Sequence, residues 1–263
     1  MNSQENIVSD KIELNKRSGM SGNFIGEIQQ RETKNGVELQ QILKICDQYM
    51  KNIEIQETPN GIRTLGDIEL ETKINIESLD EVESILNNLT NIGVYEVAHR
   101  TEQHHFFSKN LIAHNVLILI KDSNEVWIKV KKDRQEVFTP NNIPLLSRHE
   151  IKMRPQDINY QNEFQKTISQ NYIGSFKKEC LDFSFCYKDL LFTTTFSLAD
   201  SENSSLYQIE FEFEEHREKV EPPSFKTILT TFDQMLLDTC GNKTNRLNTH
   251  TKLEWLLSNN NKH

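Results

Sequence analysis

Hydrophobic and polar positions alternate without exception along IELETKI, residues 68–74. Ile68, Leu70, Thr72 and Ile74 form one set, and Glu69, Glu71 and Lys73 form the other. Side chains of a strand point alternately to opposite faces, so the segment predicts a strand with one apolar face and one bearing two carboxylates and an amine. The same alternation returns in three further segments. In EVWIKVKK (125–132), Val126, Ile128 and Val130 alternate with Lys129 and Lys131. In LLSRHEIKM (145–153), Arg148, Glu150 and Lys152 share a face. In YQIEFEFEE (207–215), Ile209, Phe211 and Phe213 alternate with Glu210, Glu212 and Glu214.

The remaining pattern predicts more strands at YEVAHRTEQHHFF (95–107), NVLILIK (115–121), LDFSFCYK (181–188) and LLFTTTFSL (190–198), separated by polar breaks. Helical periodicity appears at VELQQILKICDQYM (37–50) and at SLDEVESILNNLTNIG (78–93). In the latter, Ser78 and Glu81 form a capping box ahead of Val82, Ile85, Leu86 and Leu89, and Gly93 is the stop. A helix is also predicted from Pro155 to Ser169, with Ile158, Phe164 and Ile168 facing inward. Another opens at Pro222, Pro223 and Ser224, and a short one covers THTKLEWLL (249–257). The run KKDR (131–134) reads as a solvated turn. About eight strands in antiparallel meanders, with helices between and after them, predict an α+β fold: an eight-stranded closed antiparallel barrel with helices packed outside.

Residues 1–33, rich in Ser, Asn, Gln, Glu and Lys, read as a mobile tail ahead of a single domain spanning 34–263, with its barrel core at 66–216 and C-terminal helices at 222–258. The net charge of −9 opposes a long nucleic-acid footprint, so DNA is not expected as a partner and any RNA is met locally. Cys46, Cys180, Cys186 and Cys240 show no CxxC spacing, the first residues lack the apolar core of a signal peptide, and no apolar run reaches the ~18 residues of a membrane span. These features predict an intracellular protein, cytoplasmic or nuclear, that is neither secreted nor a membrane partner.

The charged rows are segregated. Carboxylate pairs sit on the first and last of the four segments, and Lys129, Lys131, Arg148 and Lys152 sit between them. With the apolar faces covered by helices, these rows point inward. A dry interior would cost several kcal/mol per ion, so the bore must be wet and must hold something ionic. Carboxylates at i and i+2, roughly 6.5 Å apart along a strand, suit a hard cation bound through oxygen, Mg²⁺ or Mn²⁺, and cations facing them suit a polyanion.

IELETKI resembles the ExExK signature of the triphosphate tunnel metalloenzymes, the superfamily of CYTH domains and of the fungal, protozoan and viral RNA 5′-triphosphatases. The likeness extends over residues 66–216: NVLILIKDSNEVWIKVKK is similar to that family's basic hairpin, LLSRHEIK to its R-x-E strand and LYQIEFEFEE to its closing ExE strand. The resemblance implies that Glu69, Glu71, Glu210 and Glu212 bind the catalytic Mg²⁺ or Mn²⁺. It implies that Lys73, Lys121, Lys129, Lys131, Arg148, Lys152 and Lys178 clamp the phosphates, and that Glu150 orients a cation or the attacking water. Lys121 stands alone where the family's basic hairpin carries two arginines.

The implied activity is metal-dependent release of the terminal phosphate of a triphosphate, with an RNA 5′ end in mRNA capping as the first reading and a guanylyltransferase or other capping subunit as the implied partner. Hydrolysis of tripolyphosphate, thiamine triphosphate or a nucleoside triphosphate, adenylate cyclisation, and an inactive tunnel used as a binding module are the alternatives. His104 and His105, adjacent and therefore on opposite faces, are not read as a metal pair. His149 is expected to point away from the bore, Cys180 and Cys186 are read as small apolar fillers, and Trp127 as a rim aromatic.

Overall fold

The computed structural model describes residues 62–64, 68–108, 113–121, 125–201, 204–217 and 223–260. The predicted tail at 1–33 and the predicted helix at 37–50 lie outside the described residues. The strands are β1 Ile62–Thr64, β2 Ile68–Asn75, β3 Val94–Ser108, β4 His114–Ile120, β5 Glu125–Phe138, β6 Pro144–Met153, β7 Tyr172–Tyr187, β8 Leu190–Asp200 and β9 Ser205–Arg217. The helices are α1 Leu79–Ile92, α2 Tyr160–Ile168, α3 Phe225–Cys240 and α4 Lys252–Asn260, with a 3₁₀ turn at Gly241–Arg246.

Eight strands close into an antiparallel barrel in the order β9-β2-β6-β5-β4-β3-β7-β8, sealed by the pairing of β8 with β9. The short β1, which the sequence pattern did not announce, adds to β9 at residues 215–217. Closure removes every edge within the barrel. Tight connections fix the register: β7 turns into β8 through Lys188 and Asp189, both at positive φ (48° and 64°), the left-handed pair of a two-residue hairpin.

The apolar half of each alternating strand faces outward and is covered by helices. Leu70 and Ile74 of β2, Phe183 and Phe185 of β7 and Ile209, Phe211 and Phe213 of β9 form one core with α1 and α3. The Ser78 hydroxyl accepts the Glu81 N–H, and the Glu81 carboxylate accepts the Glu77 N–H, so the predicted cap of α1 is present. Phe107, Leu117, Ile128 and Val130 pack under Tyr160 and Ile168 of α2. Inside the barrel, Phe106, Val116, Ile118 and Phe176 pack against Leu253 and Leu256 of α4, which lies over one end of the bore.

Two predicted boundaries shift. The helix expected from Pro155 starts at Tyr160, because residues 154–159 form a turn in which the Asp157 carboxylate accepts the Arg154 N–H at 2.6 Å; Ile158 therefore faces solvent instead of the core. KKDR is not a turn. β5 continues through it to Phe138, and an irregularity between Lys132 and Gln135, with Asp133 at φ 55°, absorbs the one extra residue. No described helix is long and apolar enough to cross a membrane.

Candidate active site

The inward faces enclose a cavity of about 570 Å³ lined by Glu69, Glu71 and Lys73 of β2, Lys129 and Lys131 of β5, Arg148 and Lys152 of β6, Lys178 of β7 and Glu210 and Glu212 of β9. Glu150 of β6 is buried among them, with its carboxylate 2.8 Å from Lys129 Nζ and 2.7 Å from Lys131 Nζ. Eleven of the twelve residues singled out from sequence thus gather in one place. Lys121 does not line the cavity: it follows β4 on the opposite parity from His114 and Val116 and is exposed. His149 points outward, and His104 lines the bore while its neighbour His105 does not. Trp127 carries the Arg154 guanidinium 4.7 Å above its ring, and Arg154 itself lines the cavity.

On the first wall, β2 and β6 pair Glu69 with Arg148 across the ladder. Arg148 donates Nε to Glu69 and Nη2 to Glu71 at 2.9 Å, and Lys73 Nζ lies 2.5 Å from Glu71. Burial opposes ionisation of Glu69, but the charges of Arg148 and Lys131 together with the Arg148 hydrogen bond outweigh it and hold the carboxyl at about 2. Glu71 is likewise held down against its burial, by Lys73. Burial, and then the Arg148 charge, pull Lys131 below the usual lysine range.

Deeper in the bore, Glu210 gathers three ammonium groups: Lys252 at 2.5 Å, Lys178 at 3.1 Å and Lys73 at 3.9 Å, with the Ser197 hydroxyl donating at 2.9 Å. Despite burial, Lys178 and Lys252 keep its carboxyl well below the ordinary range. Lys252 comes from the first turn of α4. Burial depresses it to about 7 against the pull of Glu210, with Lys178 and Lys73 adding to the depression.

Glu212 is the reverse case. It has no ion-pair partner among the described residues, and burial followed by the Glu214 charge pushes its carboxyl up to about 8. Glu212 and Glu214 are two residues apart on β9, and Glu212 stands opposite Glu71 on β2. Lys152 and Lys129 act on Glu212 without offsetting its burial and the Glu214 charge. Among the described residues no three carboxylates already converge as a metal-binding cluster, because Arg148 and Lys73 occupy Glu69 and Glu71 and three lysines occupy Glu210. In donor chemistry Glu69, Glu71, Glu212 and Glu214 fit a divalent cation, and Glu210 fits the lysine cluster better than a metal.

The opposite wall, on β3, β7 and β8, contributes residues that sequence reading passed over. Arg100 donates Nε to Asp182 and Nη1 to Glu102, both at 2.6 Å, the Thr195 hydroxyl donates to Asp182 at 2.7 Å, and His104 shares a 2.7 Å hydrogen bond with Glu102. His114 of β4 lines the cavity beside Lys131 with its Nδ1 buried and without a partner among the described residues. Burial, then Lys131, lowers this imidazole to about 3, so it is neutral near pH 7. In total nine cationic and eight acidic side chains line the described cavity, so as an empty vessel it is close to charge-balanced.

No protein-family model matches the sequence, and no curated protein matches it. Solved structures similar to it include a conserved hypothetical protein from Pyrococcus furiosus (14% identity, TM-score 0.44, covering 71% of this chain and 98% of that one). Others are a Hippeastrum adenylyl cyclase candidate with a dominant triphosphatase activity (9% identity, TM-score 0.47, 73% and 95%) and the Mimivirus capping enzyme triphosphatase (13% identity, TM-score 0.42, 77% and 98%).

Proposed function

We propose that this protein is a divalent-metal-dependent hydrolase that releases the terminal phosphate of a triphosphate bound inside the barrel. The observation that carries this reading is the convergence of carboxylates from β2 and β9 and cations from β2, β5, β6 and β7 on one bore. A lining close to charge balance binds a polyanion more tightly when cations that offset it enter with it, as in a metal-bound triphosphate. Glu69, Glu71 and Glu212, with Glu214 beside them, are the residues that would hold Mg²⁺ or Mn²⁺, and the ion supplies Lewis acidity and charge neutralisation when bound. Lys129, Lys131 and Lys152 face phosphate oxygens from one side, and Lys73, Lys178 and Lys252 receive the end of the chain that enters deepest. Arg148 holds Glu69 and Glu71 in register. Glu150, fixed between Lys129 and Lys131, orients those two ammonium groups. No covalent protein intermediate is required, since positioning and electrostatics carry phosphoryl transfer.

The first substrate reading is an RNA 5′ end. One observation favours the second reading, a small triphosphate: the exposed Glu96 and the half-buried Glu214 also line the cavity, and a nucleic-acid chain following the triphosphate would meet their charge. The test is phosphate release from triphosphate-ended RNA, tripolyphosphate, thiamine triphosphate and ATP, with and without Mn²⁺. Release from RNA alone supports capping, and release from a small molecule supports the second reading. Absence of release from all four, or a Glu71→Ala variant that retains wild-type turnover where a loss on the order of 10²-fold is expected, overturns the proposal.

A further inference from the structure

Three guanidinium groups line the bore, and they are used differently: Arg154 lies 4.7 Å over the Trp127 ring. Arg148 is 6% exposed, and both of its bonded nitrogens are directed at the carboxylates of its own wall. Arg100 is gripped from two sides, by Asp182 at Nε and Glu102 at Nη1, yet its side chain stays 40% exposed, lines the cavity, and keeps Nη2 without a partner among the described residues. Its two holders are themselves fixed: Asp182 by the Thr195 hydroxyl and Glu102 by His104, which stacks on Phe176 with ring centroids 5.0 Å apart. Four residues on three strands therefore converge on setting the direction of one planar fork. A surface-type ion pair would need none of this scaffolding, and a guanidinium serving only to neutralise Glu102 and Asp182 would have no reason to leave donors facing the bore.

We infer that Arg100 is the substrate-binding guanidinium of the site, presenting its remaining N–H groups to a phosphate of the bound triphosphate from the wall opposite Glu69 and Glu71. A planar fork matches two oxygens of a phosphate at once, and pre-orientation removes the rotamer cost that a free arginine meets on binding. Asp182 and Glu102 act through Arg100 as positioning residues. The wall containing Glu69, Glu71 and Glu212 takes the cation and the wall containing Arg100 takes the anion, so the two ligands are bound from opposite sides.

This inference rests on the proposed triphosphate site, and binding measurements separate the two. Calorimetric titration of tripolyphosphate into the full chain in EDTA, and of Mn²⁺ into the full chain without chelator, is performed on the wild type and on Arg100→Ala, Arg100→Lys and Asp182→Asn. Loss of a charge-assisted pair predicts that Arg100→Ala weakens tripolyphosphate on the order of 10- to 100-fold, with Mn²⁺ affinity within about twofold of wild type. Arg100→Lys keeps the charge and loses the fork, and is expected between wild type and Arg100→Ala; it also carries the test if Arg100→Ala does not fold. Asp182→Asn weakens tripolyphosphate without altering Mn²⁺ binding. Wild-type tripolyphosphate affinity in both Arg100 variants overturns the assignment of Arg100 while leaving the triphosphate site standing. A wild-type chain that binds neither tripolyphosphate nor Mn²⁺ overturns the site as a whole.

Discussion

Lys252, in the first turn of the last helix, places its ammonium 2.5 Å from the Glu210 carboxylate in the middle of the barrel wall. The pairing ties α4 to the bore and crowds Lys73 and Lys178 around the same acid. Its folded value, about 7 against an ordinary 10.5, means the charged form is disfavoured by folding. Stability from this group is therefore present above about pH 10.5 and is lost as pH falls towards 7. Lys252→Met should raise the melting temperature at pH 6–7 by at least about 2 °C, with the advantage shrinking as pH rises towards 9.5. It should also weaken polyphosphate binding. A variant melting well below wild type at pH 6 would show that the lysine stabilises the fold.

Arg148 supplies the counter-charge for Glu69 and Glu71. Removing one partner of a buried pair costs about 3–5 kcal/mol, so Arg148→Ala should melt markedly lower than wild type. A divalent cation can take over the vacated charge. Mn²⁺ should then raise the melting temperature of Arg148→Ala by more than it raises that of wild type, a comparison that thermal melts with and without the ion decide.

Glu212 holds its proton up to about pH 8 because it is buried beside Glu214 and Glu69. The raised value makes its stability contribution full below about 4.5 and lost as pH climbs through 8 in metal-free protein. On the proposed assignment of Glu212 to the cation, binding displaces that proton. Mn²⁺ affinity, read by calorimetry, should therefore rise with pH up to about 8 and level off above it. In Glu212→Gln the affinity is lower and the slope attributable to this proton disappears.

Asp233 on α3 anchors the β5–β6 connection away from the bore: its carboxylate accepts the Thr139 hydroxyl, the Asn141 N–H at 3.1 Å and the Asn141 side-chain amide at 2.6 Å. Asp233→Ala leaves the buried Thr139 hydroxyl without this acceptor and releases the exposed Asn141, a loss of roughly 1–3 kcal/mol by the ordinary scale for such groups. The expected outcome is a lower unfolding midpoint in urea, with tripolyphosphate affinity at 20 °C unchanged.

Where one strand face is mostly apolar and the other charged, sequence alone places side chains, because a period of two leaves no freedom once the apolar face is covered. Glu69, Glu71, Lys129, Lys131, Glu210 and Glu212 were legible for that reason, and Arg148 by sharing a face with Glu150 and Lys152 although the other face of β6 carries Ser147 and His149. β3 was not: His99, Thr101 and Gln103 alternate with Arg100, Glu102 and His104, so both faces are polar and nothing in the pattern marks the bore side. Lys252 carries no strand period at all, and its partner lies 42 residues earlier, a meeting that only the docking of α4 creates. Lys121 failed for the opposite reason. It ends a hydrophobic run that looks continuous, and one residue of parity turns it outward.

Because Leu253 and Leu256 of α4 pack over Phe106 and Phe176 inside the barrel, apolar side chains narrow that end of the bore. A long polymer is hindered from threading past that point, so on the proposed function the arrangement favours a substrate that presents a free terminus.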